Sequence, residues 1–170
     1  MTGVCPNQQI EAMINSGEIT ADPAILPAQV QPASLDLRLG TVAYRVRASF
    51  LAGEGRTVSD RLSEFEMHRI DITDGAVLEK GCVYAVELME VLDLPASVQA
   101  VANAKSSTGR LDLLTRVIAD RGCEFDRIPA GYTGPLYAEL CPRPFAVVVR
   151  PGMRLHQPRL RAGPAVRGDR

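Results

Sequence analysis

Thr41-Val-Ala-Tyr-Arg-Val-Arg47 is the stretch that most directly indicates the fold. Val42, Tyr44 and Val46 alternate with smaller or charged residues, which is the two-residue period of a strand with one buried face. The run ends at Ala52-Gly-Glu-Gly-Arg56, where two glycines favour a loop. This stretch predicts a β-strand followed by a break in regular structure.

The rest of the chain repeats this organisation. Short apolar runs occur at residues 76–78, 82–88, 98–101, 113–118, 136–140 and 145–149, and glycine or proline punctuates most of the gaps. Residues 6–16 instead have helical spacing, with Ile10, Met13 and Ile14 on one face, and a helical turn is expected at 111–114. The pattern predicts an all-β sandwich, jelly roll or compact barrel with a short N-terminal helix.

Composition limits the classes of function. The 170 residues suit one domain over 1–160, followed by a basic tail or linker stub over 161–170. A net charge of -1 gives no reason to expect a nucleic-acid or anionic-membrane partner. The sequence shows no apolar stretch of membrane-spanning length and no secretory signal. We interpret its four widely spaced cysteines as reduced thiols. We therefore expect a cytoplasmic protein.

Asn103-Ala-Lys-Ser-Ser-Thr-Gly-Arg110 is the first candidate for chemistry. Lys105 and Arg110 supply positive charge, and two serine hydroxyls flank a turn-forming Thr-Gly. Backbone N–H groups left free by such a turn, together with cationic side chains, suit a polyphosphate. A solvated turn has the same composition, so the motif alone leaves both interpretations open.

Five segments in fixed order resemble the dCTP deaminase branch of the dUTP diphosphatase superfamily. They are Gln31-Pro-Ala-Ser-Leu-Asp-Leu-Arg-Leu-Gly40, Lys105–Arg110, Phe125-Asp-Arg-Ile-Pro-Ala-Gly-Tyr-Thr-Gly134, Leu136-Tyr-Ala-Glu-Leu140 and Val149-Arg-Pro-Gly-Met153. The likeness extends from about Pro6 to about Pro158, and it includes the longer members with two domains in tandem, of which this chain matches the first. The resemblance implies a dUTPase-like distorted β-barrel.

The resemblance also implies an activity and its partners. The expected reaction is hydrolytic deamination of dCTP to dUTP and ammonia, with Mg²⁺ carried on the triphosphate and dTTP as a candidate inhibitor. Members of the superfamily build their sites between subunits, so a homotrimer or a pseudo-trimeric assembly is expected. They normally close a C-terminal arm over the triphosphate, which the residues after Pro158 do not resemble, so we expect weak activity from this chain alone.

The commoner deaminase chemistry uses zinc, held by a His/Cys-x-Glu element and a Pro-Cys-x-x-Cys element. Neither motif is present, and we interpret His68 as a surface residue and His156 as a strand residue, so no protein-bound metal is expected. A carboxylate must then act as general base. Glu139 lies in an apolar run, where the residues alone favour a solvent-facing side chain; the resemblance instead matches it to the catalytic glutamate of the family.

The remaining site residues are also carried over from the resemblance. Ser106 and Arg110 match the serine and arginine that position the attacking water and hold the network around the base. Asp126 resembles the aspartate that meets the sugar 3′-hydroxyl. The full set of predicted substrate-binding residues is Lys105 and Ser107 at the phosphates, Val117, Ile118 and Ala119 along the cytosine edge, Arg121 at a phosphate or a neighbouring subunit, Asp126, and Tyr132 near the sugar.

Two departures from the family pattern bear on these assignments. Residues 122–128, which include Asp126, are extra relative to the shorter single-domain members, and Arg116 and Asp120 stand where those members often carry histidines. Two alternatives therefore stay open. One is a dUTP diphosphatase, in which an aspartate such as Asp126 activates water; the other is a non-catalytic nucleotide-binding or assembly domain of a tandem protein.

Overall fold

A computed structural model describes residues 2–163 of the chain. This range contains α1 (Asn7–Asn15), α2 (Val58–Phe65), α3 (Ser106–Arg110) and a 3₁₀ turn at Pro27–Gln29. Its strands are β1 (Gly3–Val4), β2 (Ile19–Ala21), β3 (Val30–Gln31), β4 (Ser34–Leu35), β5 (Leu37–Val46), β6 (Glu66–Asp71), β7 (Ala76–Leu78), β8 (Val83–Asp93), β9 (Val98–Val101), β10 (Leu113–Ala119), β11 (Arg127–Ile128), β12 (Thr133–Pro142), β13 (Val147–Val149), β14 (Arg154–His156) and β15 (Arg159–Ala162). The predicted mainly β class is confirmed.

Two antiparallel sheets enclose one main core. The larger sheet has the order β10-β12-β8-β5-β14, with β2 paired to β8 and β6 paired to β5. The smaller sheet has the order β1-β15-β9-β11, and β7–β13 and β3–β4 form separate two-stranded ribbons. Ala138 on β12 and Leu160 on β15 belong to the same buried cluster, so the two sheets share their apolar faces.

Strand β12 presents two chemically different faces. Leu136, Ala138 and Leu140 point into the main core, whereas Tyr137 and Glu139 point to the opposite face because side chains alternate along a strand. Tyr137 packs there with Ala85 and Ile118 in a second, smaller apolar cluster. The site therefore lies on the side of the larger sheet away from the main core.

A long excursion between β5 and β6 covers that outer face. It comprises residues 47–65, here called the cover segment, and includes α2. Val58 and Leu62 of α2 pack onto the second cluster, and Thr57 caps the helix by accepting a hydrogen bond from the Asp60 N–H at 3.1 Å. Helix α2 was not predicted from the sequence, although the Thr-x-x-Asp cap was a signal for it.

The N-terminal helix and most strands agree with the prediction. Helix α1 begins directly after Pro6, buries Ile10 and Met13, and is followed by Gly17 at φ 84°. The expected turn at 111–114 is wrong, because the helical turn is α3 and Leu113 already begins β10. Arg161 and Ala162, assigned to the tail, instead pair with β1 and β9 in β15; residues 164–170 of that tail lie outside the described range.

The cysteines are free thiols in the structure, with Cys5 buried and Cys123 exposed. Over residues 2–163, no helix combines the length and the apolar character needed to cross a lipid bilayer.

Candidate active site

Glu139 is the centre of the candidate site. Its side chain is only 3% exposed, although it lies on the outer face of the larger sheet. Oε1 accepts hydrogen bonds from Nε and Nη2 of Arg116, at 3.1 and 2.5 Å. Oε2 accepts one from the Ser49 hydroxyl at 2.5 Å. Glu139 is thus a buried carboxylate with a cationic partner, unlike the solvent-facing glutamate that its surroundings in the sequence favoured.

The pairing of Arg116 with Glu139 follows from strand register. Residues 116 and 139 are direct cross-strand partners on β10 and β12, so their side chains stand on the same face. The Arg116 guanidinium also lies over the Phe125 ring, with Cζ 3.7 Å from the ring centroid, in a cation–π contact. Its position is therefore determined on two sides.

The cover segment is fastened to the loop that follows β10. The Val58 N–H donates to Oδ1 of Asp120 at 2.8 Å, and the Arg121 N–H donates to the Arg56 carbonyl at 2.8 Å. The Asp120 carboxylate thus anchors the first turn of α2. These bonds hold the cover segment over the face that carries Glu139, which excludes water from much of it.

Asp126 lies near the Arg116–Glu139 pair and makes two hydrogen bonds with Val117. The Val117 N–H donates to Asp126 Oδ1, and the Asp126 N–H donates to the Val117 carbonyl, both at 2.8 Å. Asp126 adopts φ 63°. Burial raises the pKa of its carboxyl, while the Val117 N–H and the Arg116 charge oppose the rise and the Glu139 charge adds to it. Two predicted residues, Asp126 and Val117, are therefore brought next to Glu139.

Val117, Ile118 and Ala119, the residues predicted to lie along the cytosine edge, form the last part of β10. In this structure both backbone polar groups of Val117 are engaged by Asp126. The Ile118 side chain is fully buried in the second cluster, and the Ala119 carbonyl accepts from the Gly122 N–H at 3.2 Å. The Val117 and Ala119 carbonyls each have a second lone pair that could accept a hydrogen bond from a ligand.

Tyr132 and Arg121 bind the protein's own backbone. The Tyr132 hydroxyl donates to the Pro135 carbonyl at 2.5 Å and accepts from the Asp120 N–H at 3.0 Å, and burial raises its pKa to about 12. Arg121 donates from Nη2 to the Thr133 carbonyl at 3.3 Å. Tyr132 is therefore a buried structural contact in this structure, whereas the exposed Arg121 retains donors for a ligand.

The predicted phosphate element forms α3 and the residue before it. Ser106, Ser107 and Arg110 are exposed on this short helix. Lys105 instead makes an ion pair with Asp36, whose carboxylate is fully buried and also lies 3.7 Å from Arg154. Lys105 is thus held by an internal carboxylate, and the exposed serines and Arg110 are the groups open to a phosphate.

Helix α3 and Glu139 are separate on a single chain. No hydrogen bond or ion pair within residues 2–163 joins Ser106 or Arg110 to Glu139. Arg110 precedes Leu113, the first residue of β10, while Glu139 pairs three positions further along at Arg116, a separation of about 10 Å along the strand alone. One chain therefore brings Glu139 together with Asp126 and Val117, but not with Ser106 and Arg110.

Two partners of Glu139, Arg116 and Ser49, and the ring that packs on Arg116, Phe125, were not predicted from the sequence as parts of this site. Arg116 was noted only as a departure from the family pattern, and the strand alternation that places it opposite Glu139 becomes visible once the register is known. Ser49 and Phe125 come from loops. Nothing local in the sequence marks Ser49, and Phe125 was noted only as the first residue of a segment that resembles the family. Within the described part of the chain, no three His, Cys, Asp or Glu side chains meet as a metal site.

Comparison with known proteins identifies the family. Residues 1–164 match the model of the 2'-deoxycytidine 5'-triphosphate deaminase (DCD) N-terminal domain. Two relatives are named "dCTP deaminase, dUMP-forming". The one from Acidothermus cellulolyticus is 30% identical over 155 residues, covering 89% of this chain and 75% of its own. The one from Methanoculleus marisnigri is 33% identical over 141 residues, covering 78% and 66%.

A solved structure agrees with this chain in fold over nearly its whole length. The crystal structure of 2'-deoxycytidine 5'-triphosphate deaminase from Agrobacterium tumefaciens superposes with a TM-score of 0.93 at 56% identity. The match covers 95% of this chain and 49% of that one, so the chain spans about half the length of the Agrobacterium protein. The dUTPase-like fold expected from the sequence is confirmed. The chain belongs to the dCTP deaminase family.

Proposed function

We propose that this domain deaminates dCTP by hydrolysis, giving dUTP and ammonia without a protein-bound zinc ion. The observation that carries the proposal is Glu139, an almost fully buried carboxylate beside Asp126 on the covered face of the sheet. A buried acidic group next to a second titratable group, in a water-poor site, is typical of acid–base catalysis. The family match over residues 1–164 supplies the substrate class.

The reaction needs one proton acceptor that later becomes a donor. Glu139 takes one proton from water as the oxygen adds to C4 of cytosine, and it delivers that proton to the departing amino group as the C4–N4 bond breaks. The second water proton, which remains on the C4 hydroxyl, moves to N3. The products are a uracil ring and ammonia, so atoms and charge balance. Oε2 accepts one hydrogen bond, from a neutral hydroxyl, whereas Oε1 accepts two from a guanidinium. We therefore assign proton transfer to Oε2.

Substrate binding is divided between two regions in this proposal. Asp126 Oδ2 receives no hydrogen bond from residues 2–163 and is available to a sugar hydroxyl, as predicted for this residue. Ser106, Ser107 and Arg110 bind the phosphates, with Mg²⁺ entering as the dCTP complex. We assign Lys105 a supporting role through Asp36 rather than a direct phosphate contact.

A complete site requires two chains or two domains. Because Arg110 and Ser106 do not contact Glu139 within one chain, we propose that they are supplied across an interface, in a homotrimer or a pseudo-trimer of tandem domains. Mixing Glu139→Gln with Arg110→Ala tests this proposal. Mixed assemblies should regain part of the deaminase activity, since some interfaces pair two intact residues. A mixture no more active than either variant alone would contradict the shared site.

A second candidate function continues the reaction to dUMP. It is favoured by the names of the Acidothermus and Methanoculleus relatives, both "dUMP-forming". In that case the same assembly would also hydrolyse the triphosphate, releasing diphosphate. Product identity distinguishes the two candidates, because dUTP and dUMP separate by ion-exchange chromatography.

The central experiment is incubation of the purified protein with dCTP and Mg²⁺, with ammonia and nucleotide products both measured. Glu139→Gln keeps the shape of the side chain but cannot accept the proton, so kcat should fall by about 10²-fold or more. Glu79→Gln, which changes an exposed glutamate paired with Arg45, is the matched control. Absence of ammonia with the parent protein would favour a non-catalytic domain, and a Glu139→Gln kcat within about threefold of the parent would remove Glu139 as the base.

A further inference from the structure

The carboxylate of Glu139 is clamped by two side chains that also contact each other. Arg116 donates two N–H groups to Oε1, and Ser49 donates its hydroxyl to Oε2. Arg116 Nη2 donates in addition to Ser49 Oγ at 3.1 Å. Because the three groups form a closed triangle, Glu139 cannot rotate about its last side-chain bond without breaking contacts at both oxygens.

The two oxygens of Glu139 carry unequal donors. Oε1 faces a guanidinium, whose charge-assisted hydrogen bonds favour negative charge at that oxygen. Oε2 faces only a neutral hydroxyl. The asymmetry orients the carboxylate, since the oxygen with the weaker donor is the better site for an incoming proton.

Arg116 is also the exposed edge of this buried cluster. Its side chain is 30% exposed and that of Glu139 is 3% exposed, so the arginine stands between the carboxylate and solvent. The stack on Phe125 holds the guanidinium plane in place. An unpaired carboxylate at this depth would be costly, so Arg116 both compensates the charge and determines where it lies.

We propose that Arg116 is a positioning residue for deamination, acting through Glu139 by holding Oε1 so that Oε2 faces the reacting water. This inference rests on the proposed function of Glu139 as general base. It assigns Arg116 no contact with dCTP, and it explains why an arginine can occupy a position where single-domain members often have histidine.

The test uses Arg116→Met, Arg116→Lys, Glu139→Gln and the double variant Arg116→Met/Glu139→Gln, with kcat and KM for dCTP measured separately. Arg45→Met is the matched control, because the Arg45 side chain is also 30% exposed and also pairs with a glutamate, the exposed Glu79. Arg116→Met should lower kcat by about 10²-fold with KM changed less than about threefold. Arg116→Lys keeps the charge without the planar fork, so its kcat should fall by about tenfold.

The double variant separates positioning from direct action on the substrate. If Arg116 acts only through Glu139, the double variant should have the same kcat as Glu139→Gln within about threefold. The double variant also removes the unpaired buried charge that Arg116→Met alone would leave on Glu139. Its kcat can therefore be measured even if Arg116→Met fails to fold. A further tenfold loss in the double variant, or a parent-like kcat for Arg116→Lys, would overturn the inference while leaving the proposed function intact. A parent protein that releases no ammonia from dCTP would overturn both.

Discussion

His156 should make the stability of this domain strongly dependent on pH below neutrality. The side chain is fully buried on β14; Nε2 is hydrogen-bonded to the Thr115 hydroxyl, and Nδ1 has no partner within residues 2–163. Burial lowers the pKa of this imidazole from 6.5 to about 3. In the unfolded chain the ring takes up a proton as the pH falls through 6.5, whereas in the folded chain it stays neutral.

The size of the effect follows from this difference in proton binding. A histidine with a lowered folded pKa contributes stability above its unfolded pKa and loses it as the pH falls. pH 5 is about 1.5 units below the pKa of the imidazole in the unfolded chain. At about 1.36 kcal/mol per unit, proton binding by the unfolded chain therefore lowers the free energy of unfolding by about 2 kcal/mol. Any folded pKa at or below about 4 gives the same figure, because the buried ring is neutral at pH 5 in either case.

The assay is urea unfolding at pH 7.5 and pH 5 for the parent, His156→Gln and His68→Gln. Glutamine can still reach the Thr115 hydroxyl but does not titrate, so His156→Gln should lose about 2 kcal/mol less than the parent over this interval. His68 is exposed on β6, and its replacement controls for the loss of a histidine as such. Equal pH dependence of His156→Gln and the parent would refute the reasoning.

Three further predictions concern charge and metal. Burial raises the pKa of Asp126, so the contribution of this residue to the free energy of unfolding should fall as the pH rises above the ordinary value of 3.8, and urea unfolding should show Asp126→Asn gaining stability relative to the parent between pH 3.5 and 7. Glu90 is fully buried and paired with Arg38 at 2.8 Å, so Glu90→Gln should lower the free energy of unfolding by about 3–5 kcal/mol. The exposed Glu79→Gln should lower it by at most about 1 kcal/mol. Thermal or urea unfolding measures both. Elemental analysis should find no stoichiometric zinc, and a zinc-specific chelator should leave dCTP turnover unchanged; one tightly held zinc per chain would contradict the proposed chemistry.

The strand pattern was predictable because it is local. The strands at 41–46, 98–101 and 113–118 follow a two-residue period that the sequence displays directly. The pattern at 41–46 does not show which face is in the main core, because Ala43 is fully buried there while Val42 and Tyr44 are only partly buried. Glu139 was named through the resemblance to a family, and the structure adds that it is buried and paired. Its partner Arg116 depended on the register of β10 against β12, a non-local quantity that the sequence does not display.

Other features escaped prediction for related reasons. Lys105 has the composition expected of a phosphate ligand, and only the fold reveals that Asp36 lies within reach of its ammonium group. Tyr132 was expected near a sugar, but its hydroxyl is used within the chain at Pro135. Where several partners suit one side chain, proximity in the fold selects among them.

The cover segment also bears on how members of this family can diverge. Val46 and Glu66, the residues that flank it, are paired across β5 and β6, and the Arg47 N–H donates to the Phe65 carbonyl at 3.0 Å. Because the residues on either side of this segment pair with each other, the segment can change in length or composition at little entropic cost and without shifting the strands. Exchange of this excursion between homologues would thus be a modular route by which evolution, or a protein engineer, alters the surroundings of Glu139 on an unchanged scaffold.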